Sequence, residues 1–323
     1  MTFFSILFAL LIEQLKPLRA DNPVYAGVRM LAAKLEVSFN AGQVQHGRLA
    51  WFLMIAAFAI PIALLYWLCI KMGFFAVLIL NVLVVYLTLG FRHYSHFFTS
   101  IQQAVNSGDE AGARSLLAEW TKLDTAGMDM SEVSRIAAET ALVTTHRNVF
   151  GVFFWLLTPL GPVGAVIYRV AEYLSRIWSE PQNAEREAFG QFAIKTFYWI
   201  DWIPVRLTAA AFAIVGNFED AIYAWRNFAG RWSNESLGIL LATGGGAMGV
   251  RLGTPLENAE QMTGRTGATV NTGIDEELIA EPELPVGEEA SGRTLNSTVG
   301  LVWRALLLWM LLVLLLSIAT WLG

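Results

Sequence analysis

LAWFLMIAAFAIPIALLYWLCI, Leu49 to Ile70, carries no charged residue, and its length decides the fold class. A helix needs about 20 apolar residues to cross the hydrocarbon core of a bilayer. Pro61 in the middle is no obstacle, because bilayer helices keep prolines where neighbours satisfy the freed carbonyl. Lys71-Met72-Gly73 then makes a tight turn, and Phe74 to Gly90 reads as a second span that closes a hairpin. Val299 to Leu322 is a further unbroken apolar run and reads as a transmembrane helix. Composition agrees. Of 323 residues, 55% are hydrophobic and 15% charged, and the mean hydropathy is +0.49. Soluble domains have about 45–50% apolar residues and about 25% charged ones. A disordered chain is excluded, and an ordinary soluble enzyme does not fit.

Outward from these runs the chain alternates between apolar and amphipathic stretches. Thr2 to Ile12 is apolar and ends at Glu13; with no basic residue before it, it reads as an anchor or re-entrant helix rather than a signal peptide. Phe91 to Arg147 is polar and helical. Ser107 and Glu110 form a capping box there, and Ala113, Leu116, Leu117 and Trp120 follow as an apolar stripe. Ser131 caps a second helix carrying Arg135, Glu139 and His146, which share one face. Val149 to Val170 is apolar but broken by Thr158-Pro159-Leu160-Gly161-Pro162, which predicts two half-helices. Ala171 to Tyr198 is amphipathic, Trp202 to Gly216 short and apolar, Asn217 to Trp232 amphipathic, and Leu237 to Gly253 glycine-rich. Glu257 to Ser291 is acidic, without periodicity, and reads as a loop. The expected fold is all-α: a polytopic helical membrane protein with broken or re-entrant helices and an amphipathic helical insertion, with roughly four to six membrane segments. Its parts are N-terminal membrane segments over 1–91, the soluble insertion over 92–148, the broken and glycine-rich segments over 149–253, the acidic loop over 254–298, and the last helix over 299–323.

Charge orients these parts. Lys16, Arg19, Arg29, Lys34 and Arg48 precede the hairpin, and Arg92, Arg114, Lys122, Arg135 and Arg147 follow it, which puts both stretches in the cytoplasm. The net charge of -5 argues against a nucleic-acid partner. Cys69 is the sole cysteine, so an intrachain disulfide and a cysteine-rich zinc site are excluded.

Polar groups in or beside apolar runs are expensive and mark function. Glu13, Arg92, His93, His96, Glu139, His146, Arg147, Arg169, Glu172, Asp201 and Arg206 stand in such places. Helix-end snorkelling and pairs such as Arg135 with Glu139 are the plainer explanation for any one of them. Asp201-Trp-Ile-Pro-Val-Arg206 is denser: Pro204 suits the first position of a helix, Asp201 can cap it, and Arg206 can pair with Asp201 or bind an anion. Gly244-Gly-Gly-Ala-Met-Gly249 lacks the Lys-Ser/Thr of a nucleotide loop and reads as close helix packing. His93 and His96, three residues apart, lack a third ligand, so no metal and no cofactor is expected.

Three stretches resemble the CobD/CbiB–AmpE superfamily of bacterial inner-membrane proteins. Asp201-Trp-Ile-Pro-Val-Arg206-Leu, with Gly216, Glu219, Ala221, Ala224 and Trp225 downstream, resembles the AmpE-type D-W-x-P-x-R-L and G-x-x-E-x-A-x-x-A-W pattern. Arg147-Asn-Val-Phe150, Phe154-Trp155, Gly161-Pro162 and Tyr168-Arg169 are similar to another AmpE-like run. Gly246-Ala-Met-Gly249-Val-Arg-Leu-Gly253 is similar to a segment of the CobD/CbiB branch, and Asn22-Pro23-Val24 stands where that branch has His-Pro-Val.

The resemblance implies a multi-pass inner-membrane protein and two kinds of function. The CobD/CbiB branch are adenosylcobinamide-phosphate synthases, which join an aminopropanol or its phosphate to a corrin carboxylate in cobalamin biosynthesis. AmpE is tied to β-lactamase induction and cell-wall signalling. The synthases carry an E-x-x-x-E-N-x-x-D-G run before the broken segment; here Glu139 to Gly151 keeps the first Glu, by a slip within the helix, and the Gly. The expectation is therefore an AmpE-like, non-enzymatic sensor or modulator. It would bind an anionic ligand or membrane-protein partner through Glu139, His146, Arg147, Arg169, Asp201 and Arg206. The alternatives are a synthase-like enzyme divergent at its acidic site, with a corrin-like ligand, and a structural protein whose polar groups only knit helices. Membrane lipids are partners in every case.

Overall fold

The computed structural model describes residues 2–16, 18, 22–40, 43–178, 184–232, 234–253 and 287–322, the side chains of 91–94, 184–187 and 320–322 excepted. Its described residues are 86% helical and hold no strand beyond one isolated bridge between Val250 and Glu288, so the class is all-α. In chain order the helices are α1 (Thr2–Leu15), α2 (Pro23–Phe39), α3 (Val44–Met72), α4 (Phe74–Thr88), α5 (Phe91–Ser107), α6 (Glu110–Thr121), α7 (Met130–Thr145), α8 (Gly151–Leu157), α9 (Pro162–Ile177), α10 (Ala184–Val215), α11 (Phe218–Phe228), α12 (Glu235–Met248) and α13 (Gly292–Leu322). A π-helical turn, His146–Phe150, joins α7 to α8. Residues 254–286 of the expected acidic loop lie outside the described residues, as does the side chain of His93, half of the His93–His96 pair.

Among the described residues, three helices are long and apolar enough to cross a membrane: α3, α10 from Ala188 to Val215, and α13 from Gly292 to Ala319. In the most apolar window of α3 only 11% is buried, and Phe52, Ile60, Leu64, Trp67 and Ile70 are exposed. A helix apolar all round has to be covered, and lipid is the cover that suits this one. Phe74 to Gly90 does not make the full span expected of it. The helix α4 has 15 residues, about 22 Å at 1.5 Å per residue, against a hydrocarbon core of about 30 Å. The turn before it is as expected: Gly73 adopts φ 104, which a residue with a Cβ resists.

The broken segment is two half-helices. After α8 the chain turns through Thr158 to Gly161, and Pro162 opens α9 at its first turn, where a missing N–H costs nothing. Asp201-Trp-Ile-Pro204, by contrast, is not a helix start. It lies inside α10, which runs unbroken for 32 residues. An internal proline frees the carbonyl four residues back. That carbonyl belongs to Ile200, and the indole N–H of Trp155 donates to it at 3.3 Å. A partner from another helix thus lets the helix pass through its proline.

The chain divides into two compact units. Unit 1 holds Met1–Ser100, Thr144–Thr208 and Leu306–Gly323; unit 2 holds Ile101–Val143 and Ala209–Ala305. In unit 1, α3 packs on α2, α4 and α9, and α9 also packs on α8. Glu13, buried at the end of the N-terminal apolar run, accepts the N–H of Gly90 at 3.0 Å.

In unit 2, α11 lies on α12 through small residues, as expected of the glycine run. A Cβ on Gly246 would sit 2.5 Å from the Asp220 carbonyl oxygen. The expected stripe of α6 is buried at Ala113 and Leu117. Its cap, however, is Asp109, whose carboxylate accepts Gly112 N–H at 2.9 Å. Ser107 belongs to the end of α5 and donates to Ala104 O at 3.0 Å. Likewise Asp129, not Ser131, caps α7, accepting Glu132 N–H at 2.7 Å. Aspartate is as good a cap as serine, and here an aspartate stands two residues from each expected serine.

Candidate functional site

Besides Glu13, two buried carboxylates stand in the polar interior of unit 1, and the same two chain segments serve both. The first is Asp201 on α10. His146, in the π-turn, brings Nε2 to 2.9 Å from Asp201 Oδ1 and 3.2 Å from Oδ2. Tyr168 on α9 donates its hydroxyl to Oδ1 at 2.9 Å. His146 Nδ1 meets Thr208 Oγ1 at 2.9 Å, and the same hydroxyl lies 3.0 Å from Pro204 O, so Thr208 bridges the ring to the α10 backbone. His146, Tyr168 and Asp201 are all buried. The cluster is closed to solvent.

The second carboxylate is Glu172 on α9, also buried. It faces three guanidinium groups: Arg169 at 3.2 Å, Arg176 at 3.5 Å and Arg147 at 3.8 Å. Burial pushes the Glu172 carboxyl up, but Arg169, Arg147 and Arg176 together outweigh it and hold the group below the usual carboxylate range. His146 and Arg147 are neighbours in sequence, as are Tyr168 and Arg169. One member of each pair turns to Asp201 and the other to Glu172.

Beside the Glu172 cluster is a cavity of about 290 Å3. Its wall comes from Val24 and Val28 of α2, Phe58 and Ile62 of α3, Val84 and Leu87 of α4, and Val166 and Val170 of α9. Arg29, Arg169 and Arg176 also line it, with Tyr25 and Tyr173. The local sequence builds this side. Asn22 caps α2, accepting Tyr25 N–H at 3.0 Å, with Pro23 in the first turn, and Tyr25 and Arg29 follow one turn apart on one face. Arg169, Tyr173 and Arg176 repeat the same spacing on α9.

Of the six residues expected to form one pocket, the structure brings His146 to Asp201, and Arg147 to Arg169 through Glu172. Arg206 does not take the pairing with Asp201 that its spacing suggested. Once α10 is continuous it reaches back one turn, stacks 4.0 Å over the Trp202 ring and donates to Trp202 O at 3.0 Å. Glu139 falls in unit 2, where it pairs with Arg135 at 2.9 Å and accepts Gly253 N–H at 2.7 Å. Of the residues expected to share one helical face, Arg135 and Glu139 belong to unit 2 and His146 to unit 1. Sequence reasoning left Tyr168, Thr208, Arg29 and Tyr25 without roles. The turn-spaced Tyr and Arg after Asn22-Pro23 were the signal for the last two.

A family model described as CobD/Cbib protein matches residues 6–276. Among similar proteins, the Cobalamin biosynthesis protein CobD of Stutzerimonas stutzeri (strain A1501) is 33% identical over 97% of this chain and 97% of its own. The Cobalamin biosynthesis protein CobD of Chromobacterium violaceum is 30% identical over 66% of this chain and 68% of its own. Protein AmpE of Shigella flexneri is 26% identical over 41% of this chain and 46% of its own. No solved structure matches. A match over most of its length, to the family model and to a CobD relative, makes this chain a member of the CobD/CbiB family of membrane proteins.

Proposed function

We propose that this chain acts in cobalamin biosynthesis as an adenosylcobinamide-phosphate synthase-type enzyme. It would join an aminopropanol or its phosphate to a corrin side-chain carboxylate, as a multi-pass protein of the bacterial inner membrane with 14–48 and 92–148 on the cytoplasmic side. The observation that carries the reading is the Glu172 cluster, in which one buried carboxylate meets three arginines beside a cavity. The reactants of such a synthase present carboxylate or phosphate oxygens, and guanidinium groups hold both through paired N–H donors. The CobD names of the two more similar relatives support this reading over the AmpE-type sensor, whose relative is more distant.

Amide formation needs an activated carboxyl, usually through phosphoryl transfer with Mg²⁺. Among the described residues no three His, Cys, Asp or Glu side chains gather to hold an ion. Glu139 and Glu172 are each engaged by arginine. The described residues do not fit a metal centre, and no step is assigned to one. What these residues do is bind and orient. Arg147, Arg169 and Arg176 hold anionic oxygens, and the Asp201 cluster fixes the two segments from which Arg147 and Arg169 extend.

The sensor reading keeps one observation in its favour: Glu139 to Gly151 lacks most of the synthase acids. Expression in a bacterium without its own cobinamide-phosphate synthase separates the two. Growth that depends on corrin assembly is the expected result. No growth, with the protein present in the membrane, overturns the enzyme reading and puts the sensor, its anionic ligand and its membrane partner first.

A further inference from the structure

We infer that the cavity bounded by α2, α3, α4 and α9 is a binding site for a phosphate ester with an apolar tail, its phosphate held by Arg29, Arg169 and Arg176. The inference rests on the charge and shape of the cavity and not on the cobalamin reading.

The lining includes three arginines and no acid. The nearest carboxylate, Glu172, lies beyond the lining and offsets part of that charge. Tyr25 donates to Leu87 O at 2.8 Å, and Thr88 donates to Val84 O at 2.8 Å. Each guanidinium group carries five N–H donors, so three of them in one lining favour an anion with several oxygens. The burial is graded. Arg176 is 55% exposed in its side chain, while Val84 and Val170 are buried. The cavity thus has a wet cationic mouth and an apolar floor, which matches a phosphate head and an aliphatic tail. At about 290 Å3, against roughly 300–1,000 Å3 for ordinary small-molecule pockets, it admits a short ester or one end of a lipid chain and excludes a corrin macrocycle. A soluble phosphomonoester and an anionic phospholipid share this chemistry, and basic pockets between membrane helices take lipid headgroups in the same way.

The test uses the full chain. In neutral detergent, thermal unfolding is followed with butyl phosphate and with butanol. In nanodiscs, native mass spectrometry compares retention of phosphatidylglycerol with that of phosphatidylcholine. Butyl phosphate is expected to raise the melting temperature saturably where butanol does not, or phosphatidylglycerol is expected to be retained in preference. The first outcome assigns a soluble ester and the second a lipid headgroup. Arg29 sits on the exposed side of α2 and outside the Glu172 cluster, so Arg29→Ala tests the site without dismantling it. It should weaken binding about tenfold, with Arg29→Lys in between. Binding no better than that of the uncharged counterparts, or unchanged in Arg29→Ala, overturns the inference. Failure here leaves the complementation result standing, and failure of complementation leaves the cavity's ligand standing.

Discussion

Asp201 and Glu172 are both buried acids reached from the π-turn and α9, yet they are built for different work. Asp201 has a hydrogen-bonding partner at each contact, His146 and Tyr168, and its cluster is shut off from solvent. Glu172 has more cation than it can neutralise, and its arginines keep 24%, 22% and 55% of their side-chain surface exposed. A closed, matched cluster holds segments together, because any change strands a buried charge. An open cluster with surplus charge costs less to disturb and has capacity left for a ligand. The comparison assigns holding to Asp201 and binding to Glu172 and its arginines.

The largest test of that difference is Asp201→Ala. It leaves His146 and Tyr168 facing nothing in the interior, and a loss of about 3–5 kcal/mol is expected. Denaturation in detergent measures it, and a variant as stable as wild type would break the comparison. Tyr168→Phe keeps the ring and removes one hydrogen bond to the acid, for about 2 kcal/mol in the same assay. Trp155→Phe strips the donor from the Ile200 carbonyl next to Asp201 and should cost about 1 kcal/mol. Pro204→Ala, which restores a backbone donor to that carbonyl, should make the loss vanish.

Glu172→Gln should change stability least, by about 1 kcal/mol or less, because its arginines can turn to water. It also carries a signature in pH. The Glu172 carboxyl lies below its ordinary value in the fold, so its contribution is complete above that ordinary value, about 4.3. The contribution is lost as pH falls through the lowered one. Wild type should therefore shed this increment on acidification and Glu172→Gln should not. Equal acid limbs for the two would show that the arginines do not hold the carboxyl down.

How much of this was legible in sequence follows the same division. The long apolar runs gave α3 and α13, and the two prolines with Gly161 gave the break between α8 and α9, because each is a local matter of length or backbone geometry. The Asp201 segment misled for a nonlocal reason. Pro204 looks like a helix start until Trp155, a residue far away in the chain, supplies the missing donor. The same distance hid the pairing of His146 with Asp201, whereas Arg135 with Glu139, four residues apart, was readable. The cavity was half visible: turn-spaced Tyr25 and Arg29, and Arg169, Tyr173 and Arg176, mark two polar faces, but only packing shows that they meet.

The most direct test of the central claim sets two sequence neighbours against each other. In the synthase-deficient bacterium, growth per unit of protein in the membrane would be measured for Arg169→Ala and Tyr168→Phe. The account predicts that Arg169→Ala reaches the membrane at near wild-type level and supports no growth, whereas Tyr168→Phe is less abundant but supports growth in proportion to what is present. Full growth with Arg169→Ala, or a Tyr168→Phe protein that is abundant and inactive, would contradict it.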